Sequence, residues 1–159
     1  MKITLLYASI LIASGLLFAN IYTSLVDAQS WGSDIPQSIA VTRDYFKTTN
    51  PGHFFRIFSP TNQVVALICL IAFWKTSSAV RYGLLGALIL YVLVDMMTFG
   101  YFYPRNDILF KTAPLADVEL LKRTWTEWTT MNWFRSAVLL GGLCCSCVAL
   151  HKTYSRKAV

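Results

Sequence analysis

The chain has 159 residues, of which 55% are hydrophobic and 14% are charged, and its mean hydropathy is +0.50. This composition is too apolar for an ordinary water-soluble domain and is typical of a protein whose main partner is the lipid bilayer. The net charge of +6 does not indicate nucleic acid, because the basic residues are distributed over separate segments rather than gathered in one patch.

Four apolar segments account for the composition, and each is close to the length that a membrane-spanning helix needs. They cover residues 3–26, 60–76, 79–102 and 129–150. The predicted fold class is therefore all-α: a four-transmembrane-helix bundle that forms a single membrane domain over residues 1–159. The predicted connections include a long first outer loop, 27–59, and a second outer loop, 103–128, ahead of an extended fourth helix.

The first span follows Lys2 and resembles a cleavable signal peptide in its position. Its apolar run is long for a signal, and Asn20 interrupts the end at which cleavage would occur, so we interpret it as a span. Gly15 and Ala19 have the spacing of small residues that let another helix approach closely. Asn20 is expected to face the bundle, because an unpaired amide is costly in hydrocarbon.

The first outer loop is too long for a simple connector and is apolar enough to lie over the bundle as a lid. A turn signal at 49–52 precedes His53. Ser59 and Pro60 predict an N-cap and a first-turn proline for the second span. That span then carries Asn62 near its outer end.

The third span combines a close-packing signal with a buried charge. Gly83 and Ala87 predict a close approach to another helix. Asp95 is the one acidic residue well inside a predicted span, and a carboxylate there is costly unless it is paired or protonated. The aromatic run 101–104 is typical of a membrane interface, and Asn106 follows it in the second outer loop.

The fourth helix is the longest predicted element. From about Pro114 to Lys152 it runs about 37 residues, or about 55 Å, of which a bilayer core takes about 30 Å. One of its faces repeats at spacings of three and four residues, which indicates a seam packed against other helices. That face contains Val118, Leu121, Trp125, Trp128, Asn132, Arg135, Leu139 and Gly142.

The four cysteines all lie in predicted spans: Cys69, Cys144, Cys145 and Cys147. Cys144 and Cys147 have a C-x-x-C spacing, but thiol chemistry needs a site that stabilises a thiolate, and the nearest basic residue is His151. We favour packing of small residues at a helix interface. Neither a metal nor a cofactor is predicted, since no Cys/His spacing matches zinc and His53 and His151 lie on opposite predicted sides.

Three segments carry basic residues and no acidic ones: Lys2, the 75–81 turn, and the tail with Lys152, Arg156 and Lys157. By the positive-inside rule, both termini and that turn are expected in the cytoplasm. The two long loops are then expected on the other side of a bacterial inner membrane or a plasma membrane.

In this topology, polar residues from all four spans fall at one depth, in the outer half of the bundle: Asn20, Asn62, Gln63, Asp95, Thr98, Asn132 and Arg135. We interpret them as an outward-opening pocket with an Asp95–Arg135 ion pair, roofed by Trp125, Trp128 and the 31–56 loop. If the pair forms, Asp95→Asn should partly rescue the folding of Arg135→Ala by removing the orphaned charge. The alternative is that these residues only fasten the helices together.

Two short motifs are similar to those of a known family. Asn106-Asp-Ile-Leu109 after the third span, followed by Trp128-x-x-x-Asn132-x-x-Arg135, resembles the small four-helix membrane family that includes the anthrone oxygenases. Much of that family is otherwise a domain of unknown function. The resemblance implies an oxidoreductase that oxygenates a lipophilic carbon acid without a cofactor, at a site lined by Asn106, Trp128, Asn132 and Arg135.

In that chemistry, Arg135 and Asn132 would stabilise an enolate oxygen and Trp128 would stack on a flat substrate. Asp95 or His53 would accept the proton, on chemical grounds alone. The predicted catalytic residues are Asp95, Asn132 and Arg135. The predicted substrate-binding residues are Asn20, Asn62, Asn106, Trp125, Trp128 and His53.

Two other functions remain open at this point. A non-catalytic membrane subunit would dock a protein partner, or a second copy in a homo-oligomer, through its outer loops and protruding fourth helix. Surface residues such as Ile35, Tyr45, Leu115 and Leu120 would then matter more than Arg135. Thiol redox chemistry through Cys144 and Cys147 is the third possibility.

Overall fold

The structure is a computed structural model that describes residues 2–155. Within this range it contains five helices and no strand. They are α1, Lys2–Gly32; α2, Gln37–Tyr45; α3, Pro51–Ala72; α4, Ser78–Thr112; and α5, Val118–Ser155. The basic tail residues Arg156 and Lys157 lie outside the described residues. Because α1, α3, α4 and α5 are each long and apolar enough to cross a membrane, the predicted all-α four-span fold is confirmed.

The four long helices form an antiparallel bundle in which α5 packs along both α4 and α1, and α3 packs against α1 and α4. We call the end with the 73–77 turn the turn end, and the opposite end, with α2 and the 113–117 connection, the loop end. An aliphatic cluster around Leu6, Val80 and Ala149 fills the turn end. An aromatic cluster around Trp31, Phe102 and Trp128 fills the loop end.

Small residues let α4 and α5 approach closely, as predicted for Gly83. A side chain at Gly83 would meet the Ala149 Cβ and the Cys145 carbonyl oxygen at 3.2 Å. Gly142 on α5 likewise lies against the ring of Tyr91. The same prediction is wrong for Gly15, which has no neighbouring atom within 4 Å of an added Cβ.

The second span begins earlier than predicted. Asn50 is the N-cap of α3, since its Oδ1 accepts a hydrogen bond from the Gly52 N–H at 2.9 Å, and Pro51 occupies the first turn. His53 completes a capping box. The predicted cap at Ser59 is wrong, because the helix continues through it and Pro60 lies in the helix interior.

The predicted outer loops are largely helical extensions of the spans. α1 continues past residue 26 through the wider π-type turn Thr23–Asp27, and α4 continues past residue 102 after a similar turn, Thr98–Phe102. Such wide turns are frequent at functional sites. α5 starts at Val118 rather than near Pro114, with Asp117 Oδ1 accepting a hydrogen bond from the Leu120 N–H at 3.2 Å.

Gly32→Ala is expected to lower the free energy of unfolding by about 1–3 kcal/mol, because an overpacked side chain forces its neighbours to move. A Cβ at Gly32 would lie 2.3 Å from ring atoms of Trp125, whose Nε1 is also held by the Ala28 carbonyl oxygen at 2.7 Å. Thermal unfolding in detergent measures the effect. Gly15→Ala is the matched control, and equal midpoints for the two variants would contradict the packing argument.

Candidate functional site

A cavity of about 940 Å³ lies at the loop end, bordered by all four long helices. Its deep end is apolar, with Leu16, Val94 and Leu139. Aromatic side chains line much of its wall: Trp31, Phe46, Phe55, Phe99, Phe102, Phe110 and Trp128. Charged side chains other than Asp95 and Arg135 also line it: Arg43, Lys47, Arg56, Asp107 and Lys111. The volume lies within the range of about 300–1,000 Å³ that is typical of small-molecule sites.

Arg135 provides a buried positive charge at the cavity wall. Its Nη2 donates to Asn20 Oδ1 at 2.5 Å and to Asn132 Oδ1 at 2.6 Å, and its Nη1 donates to Thr98 Oγ1 at 3.4 Å. The guanidinium also lies over the Phe102 ring, 4.0 Å from its centroid. All of these partners are neutral, so the charge remains available to an anionic group in the cavity.

The two asparagines that hold Arg135 are fixed by each other and by serines. Asn20 Nδ2 donates to Ser136 Oγ at 2.7 Å, and Asn132 Nδ2 donates to Ser24 Oγ at 2.6 Å. Each amide also donates to the other residue's backbone carbonyl at 3.3 Å. Both Oδ1 atoms are therefore held towards the guanidinium, which keeps Arg135 in one position. Asn132 is completely buried behind Arg135 and does not line the cavity.

Asp95 lies on α4 and is held by side chains of α3. Its Oδ1 accepts a hydrogen bond from Ser59 Oγ at 2.5 Å, and its Oδ2 accepts one from Gln63 Nε2 at 2.6 Å. The predicted Asp95–Arg135 ion pair is wrong: the residues 2–155 contain no salt bridge between them. The physical reason is that each charge is satisfied by neutral groups: Asp95 by Ser59 and Gln63, and Arg135 by Asn20, Asn132 and Thr98.

The two motifs of the resemblance meet in the structure. Trp128 Nε1 donates to Asn106 Oδ1 at 2.8 Å, and both side chains line the cavity. Trp128 also packs edge-on against Trp31 and Phe102, with ring centroids 5.1 Å and 5.4 Å away. The asparagine therefore fixes the orientation of an indole that presents an apolar surface to the cavity.

The remaining predicted site residues have different positions. Asn62 lines the cavity, whereas Trp125 lies outside it, packed on Gly32. His53 lines the mouth, but its Nδ1 accepts a hydrogen bond from the Asn50 N–H at 3.3 Å. In a neutral ring this leaves the proton on Nε2, so the helix cap disfavours His53 as the base.

Sequence reasoning missed several residues of this site. Ser59 is one of them. It precedes Gln63 by one helical turn and so shares a helix face with it, and both side chains bind Asp95. This spacing was overlooked because Ser59 was interpreted as an N-cap. Ser136 was missed because it lies beside Arg135 rather than on the expected seam. Phe55, whose ring centroid is 5.5 Å from the Arg135 guanidinium, gave no signal in the sequence.

The cysteines divide into two groups. Cys69 is buried and Cys145 lies against Gly83 and Gly86 of α4, as expected for packing residues. Cys144 and Cys147 are exposed on the outer surface of α5, so the packing interpretation is wrong for them. Among residues 2–155, no three His, Cys, Asp or Glu side chains lie close enough to hold a metal ion.

Replacing both Cys144 and Cys147 with serine is expected to change the activity less than twofold, as is usual for surface substitutions away from special features. Neither residue lines the cavity, and both are free thiols. The measurement is the oxygen consumption that the resemblance implies, compared at steady state between the double variant and wild type. A loss of activity that either single replacement, Cys144→Ser or Cys147→Ser, also causes would instead favour thiol redox chemistry.

Together, the four apolar helices and the cavity at one end define a small integral membrane protein of the helical-bundle class. The family model for anthrone oxygenase matches residues 53–145, which is more than half of the chain. The chain therefore belongs to the anthrone oxygenase family, and the resemblance seen in the motifs is confirmed. Comparisons with curated proteins and with solved structures gave no match.

Proposed function

We propose that this protein is an oxidoreductase that uses molecular oxygen, without a cofactor, to oxidise a flat and lipophilic carbon acid of the anthrone type. The observation that carries the proposal is that Asp95 and Arg135 line one cavity without forming a salt bridge with each other. Arg135 has no acidic partner and Asp95 has no basic partner within residues 2–155. Such a cavity can accept a proton at Asp95 and stabilise an oxyanion at Arg135.

The reaction begins with proton transfer from the ring CH₂ of the substrate to a carboxylate oxygen of Asp95. The electron pair of that C–H bond delocalises onto the ketone oxygen, which becomes an oxyanion beside Arg135. The carbanion carbon then reduces O₂ and forms a C–O bond, and the resulting peroxide anion takes the proton back from Asp95 to give a hydroperoxide. Asp95 next accepts the second proton of the former CH₂ carbon, and the electron pair of that C–H bond forms the C=O bond as the O–O bond breaks. The leaving hydroxide takes this proton from Asp95 and departs as water. In sum, CH₂ and O₂ become C=O and H₂O, and the carbon loses the four electrons that oxygen gains.

The chain's own groups have distinct parts in this scheme. Arg135 would stabilise the oxyanion, and removal of a comparable donor in other enzymes costs about 10²–10³ in rate. Trp128 and Trp31 would bind the flat rings, and Asn106 would keep Trp128 in position. Asp95 retains free lone pairs for the proton, because each of its oxygens accepts only one of the observed hydrogen bonds.

Turnover with isotopically heavy oxygen gas tests this function. The protein in lipid nanodiscs is expected to convert an anthrone into its quinone faster than empty nanodiscs do, with one heavy oxygen atom in the quinone and one in water. Heat-denatured protein is the control for autoxidation. A rate equal to that control would overturn the proposal.

We also propose that the loop end, and with it the mouth of the cavity, lies on the non-cytoplasmic side of an inner or plasma membrane. Lys2, Lys75, Arg81 and Lys152 at the turn end support this orientation through the positive-inside rule. Tyr45→Cys should react with a membrane-impermeant maleimide in intact cells, since Tyr45 is 80% exposed at the loop end. Labelling that occurs only after cell lysis would show that the loop end lies on the cytoplasmic side.

The exposure of Tyr45 also favours a second function, a non-catalytic subunit that docks a partner at the loop end. Of the other surface residues predicted for that role, Leu115 is 36% exposed. Ile35 and Leu120 pack against the aromatic cluster of the loop end instead. Native mass spectrometry of gently extracted wild type and Arg135→Ala separates the two functions. A small aromatic mass lost in the variant supports the oxygenase, whereas a stoichiometric protein retained by both supports the subunit.

A further inference from the structure

One amide at the cavity wall, that of Asn62, has a buried oxygen without a hydrogen-bond partner in the described part of the chain. Asn62 is only 1% exposed, and its Oδ1 is the one buried side-chain nitrogen or oxygen within residues 2–155 that has no partner. By contrast, the amides of Asn20, Asn132 and Gln63 are each held by protein groups. Asn62 therefore has no structural role that its hydrogen bonding would explain.

The surroundings of Asn62 make this unpaired amide costly. It lines the same cavity as the apolar side chains of Leu16 and Leu139. The nearby phenol of Tyr91 does not compensate, because its hydroxyl is hydrogen-bonded to Ser146 Oγ at 3.0 Å. A buried polar group without a partner is unfavourable, and each such group in a native protein calls for an explanation, a bound ligand being one.

We propose that Asn62 is the deep binding residue for a hydroxyl group on the substrate. A carboxamide offers one acceptor and one donor, and rotation about its last bond presents either atom to the cavity. A phenolic hydroxyl both donates and accepts, so it matches either orientation. Arg135 only donates and suits the ketone oxygen. The cavity then recognises a hydroxylated aryl ketone with its oxygens at two different sites.

This inference rests on the proposed function for the identity of the aryl ketone, but its test requires no turnover. The probes are anthraquinone and a hydroxyanthraquinone whose hydroxyl lies away from the ketones. Binding to the protein in nanodiscs is followed by quenching of tryptophan fluorescence, since Trp31 and Trp128 line the cavity. Titration of empty nanodiscs corrects for partition of the quinones into lipid.

We expect wild type to bind the hydroxylated quinone at least about tenfold more tightly, because a site built for a hydroxyl rejects analogues that lack it. Asn62→Leu should bind both quinones equally and keep the wild-type affinity for anthraquinone. Its thermal midpoint should not fall, because the substitution removes an unpaired amide. Thr61→Leu, at the exposed neighbouring position, should retain the wild-type preference.

Three results would each overturn the role of Asn62. Wild type binds the two quinones equally, wild type binds neither quinone, or Asn62→Leu still prefers the hydroxylated quinone. A fall in the thermal midpoint of Asn62→Leu with an unchanged preference would assign it a structural role instead. Oxygenation without a hydroxyl preference would leave the proposed function intact and remove this inference. If Asn62→Leu loses the preference and wild type does not oxygenate an anthrone, the role of Asn62 would stand and the proposed function would fall.

Discussion

Arg135→Met is expected to lower oxygen-dependent turnover by about 10²–10³, the usual cost of removing a preorganised oxyanion donor. Methionine fills the space between the rings of Phe55 and Phe102 while it deletes the charge and all the N–H donors. The measurement is steady-state oxygen consumption by purified protein, normalised to the folded fraction from thermal unfolding. Normalisation is needed because the variant leaves the Oδ1 atoms of Asn20 and Asn132 without their donor.

Arg81→Met is the matched control for this variant. Arg81 also lies over aromatic rings, those of Trp74 and Tyr82, with centroid distances of 5.3 Å and 5.4 Å, but it lies at the turn end and outside the cavity. The Arg81→Met variant should therefore retain wild-type turnover. Full activity of folded Arg135→Met would contradict the assignment of Arg135 as the oxyanion site.

Asp95→Asn is expected to lower turnover by about 10²–10⁴, the usual contribution of a positioned general base. The substitution is nearly isosteric, and Gln63 can turn its amide to accept a hydrogen bond from the new NH₂ group. The fold should therefore survive. The difference in turnover between wild type and Asp95→Asn should become smaller as the pH rises, because the carbanion then forms increasingly in water without help from the protein.

The pH series of turnover by wild type and Asp95→Asn measures this effect. Asp44→Asn is the control, because Asp44 is an exposed acid that is paired with Lys47 at 2.6 Å and does not line the cavity. If Asp95→Asn were as active as Asp44→Asn at every pH, another group would have to be the base.

The structure also changes one expectation about these two residues. The sequence suggested that Asp95→Asn would rescue the folding of Arg135→Ala, on the assumption of an ion pair. Because Asp95 is held by Ser59 and Gln63, removal of Arg135 does not orphan its carboxylate. The groups that lose their partner are instead Asn20 and Asn132, so no rescue through Asp95 is expected.

Helix boundaries illustrate the limit of local sequence signals. Asn50-Pro51 and Ser59-Pro60 have the same chemistry of an N-cap followed by proline, and both are consistent with a helix start. The structure begins α3 at the first pair and uses Ser59 to bind Asp95. The start of α3 is a local matter of the Asn50 and His53 cap, but the role of Ser59 depends on a residue 36 positions away, which local patterns do not contain.

The sequence by itself determined the four spans, the inward face of α5 and the common depth of the polar residues. Hydrocarbon imposes these features locally, because a span needs about 20 apolar residues and its polar side chains must face inward. Only the tertiary structure decided which groups pair. Arg135 bonds to Asn20, 115 residues away, rather than to Asp95, because helix rotation and the distances between walls are set by packing of the whole bundle.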